Sequence, residues 1–243
     1  MKQIPLMYHD VYFKSTNESG LASDLYKLSV DVFEKQVAII KTLEKSISGT
    51  VLLTFDDGGS SFYFPISQIL DKYDLKGYFF VATKYINKNG FLTEEQIKDI
   101  ESRGHVIGSH SHTHPDNIST LSQIEIVNEW CESVQILTRI LGHPVVMASI
   151  PNGYSSNTVL DAAQKAGIRQ LYTSKPSCKK QKYKDMQLIG RYVILKGMTE
   201  DDVVQLIVSR RKRIFLWLKW AALSVPKFIL GKQYEVVKQK ILG

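Results

Sequence analysis

Two adjacent carboxylates are the first residues of this sequence whose types suggest chemistry. Asp56 and Asp57 follow an apolar run in "LTFDDGGSSF" and are themselves followed by two glycines. Neighbouring carboxylates repel each other, and burial raises the pKa of at least one of them. A water-exposed turn would carry both without consequence, whereas a buried site would use both if it bound a cation.

A cluster of histidines further along the chain supplies the ligands that such a cation would need. "HSHTH" contains His110, His112 and His114. His110 and His114 are four residues apart, so both imidazoles could reach one metal from a helical turn, while all three could instead alternate along an extended segment. Imidazole and carboxylate together suit a divalent ion, with zinc favoured and cobalt, nickel or manganese as alternatives. A polar loop that merely contains several histidines is the competing interpretation, and the Asp56–Asp57 pair weighs against it.

The segments around these residues alternate between β-rich runs and helical patterns. Strand-like runs precede His9, Asp56 and His110, and others are "KGYFFVAT", "VVMASI", "IRQLYTS" and "LIGRYVI". Strands that alternate with helices pair in parallel. We therefore predict an α/β fold, a distorted or incomplete (β/α) barrel of about seven parallel strands over residues 1–200, with a C-terminal helical extension over residues 201–243. In such folds the carboxyl ends of the strands form one rim, so the reactive side chains would gather there.

The two motifs together resemble a known family. "LTFDDG" and "GHVIGSHSHTHP" are similar, in order and spacing, to those of the polysaccharide deacetylases of the NodB-homology type, carbohydrate esterase family four. "PLMYHDV", "GFLTEEQI" and "SIPNGYS" look like the bacterial exopolysaccharide N-deacetylase branch, and the resemblance covers about residues 1–195. It implies a metal-dependent hydrolase that removes N-acetyl groups from an N-acetylated sugar in a polysaccharide or glycan precursor.

The resemblance assigns roles to individual residues of this chain. Asp57, His110 and His114 would bind the divalent metal, and Asp56 would be the general base that activates a metal-bound water. His112 has no counterpart among the family's ligands, and a hydrolytic metal site keeps one coordination position open. We therefore interpret His112 as a loop histidine near the site rather than as a further ligand.

Two departures from the family pattern affect its third motif. The family carries an arginine that pairs with the catalytic aspartate, but Ser149 stands at that position, and Arg191 is the replacement that we predict beside Asp56. The motif's aromatic residue is replaced by Asn152, which follows Pro151. By analogy with the family, the backbone N–H of Asn152 would stabilise the oxyanion.

A third departure concerns the general acid. The family's late Leu-x-His motif is missing, and no histidine follows His143. We predict that His9, at the end of the first strand, supplies the proton to the leaving amine, because the first and last strands of a barrel are neighbours. A structural role at the rim is the alternative for His9, and His105 and His143 are interpreted as structural.

The charge of the chain is concentrated at one end. The 243 residues carry a formal net charge of +7 at pH 7. Nine Lys or Arg and one Glu follow residue 206, so residues 207–243 contribute +8 and the remainder −1. This distribution gives little support to a nucleic-acid binder. The terminal segment, rich in Trp, Phe and cations, predicts helices that either pack on the barrel through an apolar face or lie at an anionic membrane surface.

Location and substrate are the remaining expectations. The N-terminus "MKQIPLMYHD" has no apolar signal-peptide core and the chain has two cysteines, which favours a cytoplasmic protein, with a membrane-peripheral position as the alternative. That location favours a lipid-linked or nucleotide-linked sugar over a secreted polymer as substrate. The missing late histidine leaves a competing function open, a carbohydrate-binding relic of the fold with weakened catalysis.

Overall fold

One mostly parallel sheet organises the part of the chain that the computed structural model describes, residues 2–14 and 19–230. The strands, in chain order, are β1 (Lys2–Tyr8), β2 (Val11–Tyr12), β3 (Leu28–Ser29), β4 (Gly49–Phe55), β5 (Gly77–Val81), β6 (Val106–Ser109), β7 (Met147–Ser149), β8 (Gln170–Tyr172), β9 (Lys180–Tyr183), β10 (Met186–Ile189) and β11 (Tyr192–Val193). The large sheet has the order β11-β1-β4-β5-β6-β7-β8-β10-β9, and β2 pairs with β3 separately. Its neighbours are parallel except β9 and β10. The predicted α/β class and incomplete barrel are confirmed, with nine strands in the sheet in place of about seven.

The first strand lies beside the last, as the barrel interpretation requires. β1 pairs with β11, and Leu6 stands opposite Tyr192. The expectation that "LIGRYVI" forms one strand is wrong, because the segment divides into β10 and β11 around Gly190 and Arg191. A Cβ at Gly190 would lie 2.2 Å from the Lys175 carbonyl oxygen, so only glycine allows this close approach. The Arg191 N–H donates to the same oxygen at 2.9 Å and holds the break.

Helices connect most successive strands of the sheet. They are α1 (Val30–Glu44), α2 (Ile66–Lys72), α3 (Glu94–Ser102), α4 (Gln123–Leu141), α5 (Asn157–Lys165), α6 (Glu200–Val208) and α7 (Arg210–Leu230). Thr93 begins α3 with a capping box, and Ser122 does the same for α4. Each such cap stabilises its helix by about 1 kcal/mol. The loop that contains the histidines lies between β6 and α4, so the position at which α4 begins bears on the site.

Aromatic side chains at the ends of the central strands fix where the reactive residues leave the sheet. Tyr8 and Phe55 are the last residues of β1 and β4, and each is at most 1% exposed. Phe55 stacks on Phe79 of β5 with ring centroids 4.9 Å apart. Burying a side chain of this size stabilises the fold by about 2–3 kcal/mol. His9 and Asp56 therefore follow directly from well-anchored strand ends.

The two C-terminal helices meet the rest of the molecule differently. The predicted boundary between residues 200 and 201 falls at the start of α6, whose buried apolar residues join the main core. Several large apolar side chains of α7 are exposed and do not pack against the barrel, namely Ile214, Phe215, Trp217 and Leu218. None of the helices within the described residues has the length and hydropathy needed to cross a membrane. Residues 231–243 of the predicted extension lie outside the described residues.

Candidate active site

The end of β4 directs two adjacent carboxylates to different partners. Asp56 and Asp57 are buried. Asp57 has a φ of 93°, a conformation that costs a residue other than glycine about 1–3 kcal/mol. The Ala82 N–H donates to the Asp57 carbonyl oxygen at 3.2 Å and holds this turn. Because the backbone turns sharply here, the two side chains reach separate groups of residues.

Asp57 lies against two histidines that follow β6. Its Oδ1 atom is 3.5 Å from His110 Nε2 and 3.3 Å from His114 Nε2. One ligand atom from each of the three residues lies within 4.8 Å of the others. The structure thus brings together the three residues that the sequence predicts as metal ligands.

The donor set fits a zinc-type ion. His110 Nδ1 lies 2.9 Å from the Ser149 carbonyl oxygen. That oxygen can only accept a hydrogen bond, so Nδ1 carries a proton, and Nε2, which faces Asp57, is the atom that would bind an ion. A tetrahedral zinc with ligand bonds of about 2.1 Å separates neighbouring ligand atoms by about 3.4 Å. The two separations from Asp57 Oδ1, 3.5 Å to His110 Nε2 and 3.3 Å to His114 Nε2, match this value, and three ligands leave one position open.

A buried glutamate on α4 holds the loop between the two histidines. Glu129 accepts hydrogen bonds from the His112 N–H at 3.0 Å, the Thr113 N–H at 2.8 Å and the Thr113 hydroxyl at 2.6 Å. The loop needs this support, because Ser111 and His114 both have positive φ. Glu129 was not among the residues predicted from the sequence. A carboxylate among the core-facing positions of an amphipathic helix was the signal that could have found it.

His112 faces away from the three-residue cluster. Its Nδ1 atom lies 3.0 Å from the Thr83 hydroxyl, and its Nε2 atom lies 3.3 Å from a Glu132 carboxylate oxygen. These contacts occupy both ring nitrogens. They agree with the interpretation of His112 as a loop histidine rather than a ligand.

Asp56 pairs with a buried arginine, Arg191, from the break between β10 and β11. Arg191 Nη1 donates to Asp56 Oδ1 at 2.6 Å and Nη2 donates to Oδ2 at 2.8 Å, a two-pronged ion pair. The Ser149 hydroxyl donates to the same Oδ2 at 3.0 Å and accepts from Arg191 at 2.7 Å. The predicted contact of Arg191 with Asp56 is therefore present. Ser149, at the position of the family's arginine, completes it.

These partners decide the ionisation of the two carboxylates. Burial alone would raise the pKa of Asp56, but the charge and hydrogen bonds of Arg191, together with the nearby His110 and His9, outweigh it and hold that pKa below its ordinary value. Burial likewise opposes ionisation of Asp57, yet hydrogen bonds from His110 and His114 hold its pKa well below the usual range. Burial acts to lower the pKa of His114, but its hydrogen bond to Asp57 and the negative charges of Asp57 and Asp56 together raise it. Both carboxylates are thus ionised at neutral pH.

His9 lies at the same rim, next to β1. Burial lowers its pKa, while the negative charges of Asp57 and Asp56 act in the opposite direction. Its Nδ1 atom is buried and makes no hydrogen bond to any described residue. The His9 ring packs on Tyr26 with centroids 4.8 Å apart. The structure therefore brings His9 into the electrostatic environment of the two carboxylates.

The remaining predicted residues occupy loops. Pro151 is buried and Asn152 follows it with a φ of 53°, with its side-chain amide donating to the Asp116 carbonyl oxygen at 3.2 Å. His105 accepts a hydrogen bond from the Gly77 N–H at 3.0 Å, which confirms its structural role. The role of the Asn152 N–H stays a prediction.

Known deacetylases are similar to this chain in sequence. The chain is 32% identical over 130 residues to a chitin deacetylase of Colletotrichum lindemuthianum, covering 53% of this chain and 48% of that protein. It is 30% identical over 127 residues to the peptidoglycan-N-acetylmuramic acid deacetylase PdaA of Bacillus subtilis, covering 51% and 46%. The chain thus spans about half the length of the curated relatives it matches.

Solved structures share the fold. The Streptococcus pyogenes deacetylase PplD, in complex with acetate, superposes with a TM-score of 0.73 at 24% identity, covering 85% of this chain and 98% of that one. Residues 44–171, which include the Asp57, His110 and His114 cluster, match the family model described as polysaccharide deacetylase. The chain therefore belongs to the polysaccharide deacetylase family.

Proposed function

We propose that this chain is a metal-dependent carbohydrate N-deacetylase, a hydrolase that removes the N-acetyl group from an N-acetylated sugar in a polysaccharide or glycan precursor. The convergence of Asp57, His110 and His114, with the carboxylate of Asp56 beside them, carries the proposal. The names of the relatives, a chitin deacetylase and a peptidoglycan deacetylase among them, support the same reaction class. Zinc is the ion that we favour, with cobalt, nickel or manganese as alternatives.

Each carboxylate and histidine has a separate task in this proposal. Asp57, His110 and His114 would hold the ion, which would polarise the amide carbonyl and lower the pKa of a water molecule. Asp56 would act as the base, because its Oδ2 lies 3.9 Å from His110 Nε2 and is therefore next to the three ligand residues. Arg191 keeps Asp56 oriented and ionised, so that it can accept a proton from the attacking water.

His9 is our candidate for the residue that protonates the leaving amine. It follows β1 at the same rim, where the charges of both Asp56 and Asp57 act on it. His9→Ala should keep its bound zinc and lose about 100-fold or more of its turnover. His143 pairs with Glu101 at the surface, so His143→Ala is the matched control and should retain both. Near-normal turnover in His9→Ala would contradict the assignment.

Acetate release tests the proposed reaction. The purified chain, supplied with zinc, should release acetate from N-acetylglucosamine oligomers or from a lipid-linked or nucleotide-linked N-acetylated sugar, and comparison of these substrates identifies the class. Asp57→Asn should abolish release, because it removes the charged ligand. No release from any of these substrates by zinc-loaded protein would contradict the proposal.

A carbohydrate-binding relic of the fold is the second candidate function. It is favoured by one observation, the absence of any histidine after His143, where the family's general acid would stand. A relic would bind N-acetylated oligomers without releasing acetate, and His9→Ala would leave that binding unchanged. The buried Asp56–Arg191 pair speaks for the enzyme, because sugar binding alone does not require an oriented base beside a metal cluster.

A further inference from the structure

Helix α7 turns a continuous set of large apolar side chains toward solvent. Ile214, Phe215, Trp217 and Leu218, called here the outer face of α7, are 48%, 61%, 43% and 54% exposed. Their spacing of three and four residues places them on neighbouring positions of the helix surface. Single exposed apolar residues are ordinary, but a contiguous group marks an interaction surface.

The opposite side of the helix explains why this face cannot turn inward. Arg213 is 6% exposed and donates from Nη1 to the carbonyl oxygens of Leu206 at 2.6 Å and Ile207 at 2.7 Å, near the C-terminal end of α6. A cation at a helix C-terminus is favourable because it meets unpaired carbonyl groups. Leu216 packs against the main core on the same side. A cation anchored inward thus fixes the rotation of α7 and leaves the apolar residues outside.

Positive charge surrounds the outer face. Arg210, Arg211 and Lys219 are exposed on the same helix. The sequence contains no acidic residue between Asp202 and Glu235. A second copy of this chain is a poor occupant, because pairing two outer faces would bring these cations of both copies together. A partner that offers both an apolar interior and a negatively charged surface complements the outer face better than a second copy does.

We propose that the outer face of α7 binds the surface of a membrane that contains anionic lipid. Helices with Trp, Phe and Leu beside Lys and Arg lie in the plane of the interface, with the apolar side chains in the acyl boundary and the cations among the headgroups. The binding is peripheral and independent of the catalytic proposal, since none of its residues belongs to the site at the sheet rim.

Co-sedimentation of the full chain with lipid vesicles tests the proposal. The chain should sediment with vesicles of equal parts phosphatidylcholine and phosphatidylglycerol, remain in solution with phosphatidylcholine alone, and dissociate as salt rises. Tryptophan emission should shift to the blue on addition of the anionic vesicles, since Trp217 enters the interface.

Two variants separate the contributions of charge and apolar contact. Arg210→Gln/Arg211→Gln/Lys219→Gln should weaken partitioning about 100-fold, at about fivefold per cation. Phe215→Gln/Leu218→Gln should weaken it by about tenfold or more. These side chains are exposed, so both variants should keep the circular dichroism of the parent.

Ile124→Gln is the matched control, because Ile124 is a 71% exposed apolar residue that belongs to α4 rather than to α7. It should bind vesicles as the parent does. Equal binding to neutral and anionic vesicles, or variants of α7 that bind as well as Ile124→Gln, would overturn the proposal. The proposal would also be overturned if the parent were a dimer, Phe215→Gln/Leu218→Gln were a monomer, and neither the parent nor this variant bound vesicles.

Discussion

Replacing Arg191 by methionine should destabilise the protein severely through the carboxylate it leaves behind. Arg191 and Asp56 form a two-pronged pair whose side chains are 0% and 4% exposed. Removal of one partner of a buried ion pair costs about 3–5 kcal/mol, because the other charge stays buried without compensation. The guanidinium also lies over the rings of Phe80 at 5.6 Å and Tyr172 at 5.9 Å. We therefore expect Arg191→Met to lose about 4 kcal/mol of unfolding free energy.

The companion variant identifies the buried charge as the cause. Asp56→Asn/Arg191→Met removes both charges, and replacement of a whole buried pair by neutral groups is close to neutral in other proteins. The double variant should therefore recover about 2 kcal/mol or more of the loss seen in Arg191→Met. In a double-mutant cycle completed with Asp56→Asn, the size of the coupling energy is this recovery plus the loss seen in Asp56→Asn alone.

Urea unfolding at pH 7, followed by circular dichroism, measures these differences. Lys72→Met serves as the control, because Lys72 pairs with Glu34 at the surface, where the side chains are 63% and 33% exposed. Its loss should stay within about 0.5 kcal/mol. A loss below about 1 kcal/mol in Arg191→Met, or a double variant as unstable as the single one, would refute the reasoning.

Three further predictions concern residues around the sheet. Burial lowers the pKa of His105 to about 4. As pH falls from about 6.5 to 4, the unfolded chain therefore takes up a proton before the folded chain does, and about 3 kcal/mol of unfolding free energy should be lost. Urea titrations of His105→Gln should lack this loss, and an equal pH dependence of stability in the parent and the variant would contradict the prediction. Gly108→Ala places a Cβ 2.7 Å from the Phe80 ring and 2.9 Å from the Met147 carbonyl oxygen, and should cost about 1–3 kcal/mol of unfolding free energy; an unchanged urea midpoint would contradict this. Glu129→Ala frees the loop of His110 and His114, and calorimetric zinc titration should show about 10–100-fold weaker binding; unchanged affinity would remove Glu129 from the site's support.

The gathering of Asp57, His110 and His114 at one rim could be predicted from the sequence because it depends on local rules. Asp57 and His110 follow strands that read clearly as buried and parallel, and the carboxyl ends of β4 and β6, separated only by β5, meet at one edge. The spacing of His110 and His114 allows both imidazoles to reach one metal, and the family resemblance implies the choice of Asp57, His110 and His114 as the ligand set. The contact of Arg191 with Asp56 was predicted from a missing arginine, but its two-pronged geometry was not.

Other features depend on contacts between distant residues and gave little local signal. The break at Gly190 arises from the approach of the Lys175 carbonyl oxygen, which no periodicity reveals. The support from Glu129 needs the path of the histidine loop over α4. The outward rotation of α7 follows from the inward bond of Arg213 to α6. A helical pattern gives the apolar stripe but not the direction in which it points.

Zinc binding by the purified chain tests the central claim most directly. Calorimetric titration of the metal-free protein should give one zinc per chain, with binding lost in Asp57→Ala and retained in His112→Ala, whose ring nitrogens face Thr83 and Glu132 instead. Absence of zinc binding, or a stoichiometry and affinity in Asp57→Ala equal to those of the parent, would contradict the assignment of Asp57, His110 and His114 as a metal site.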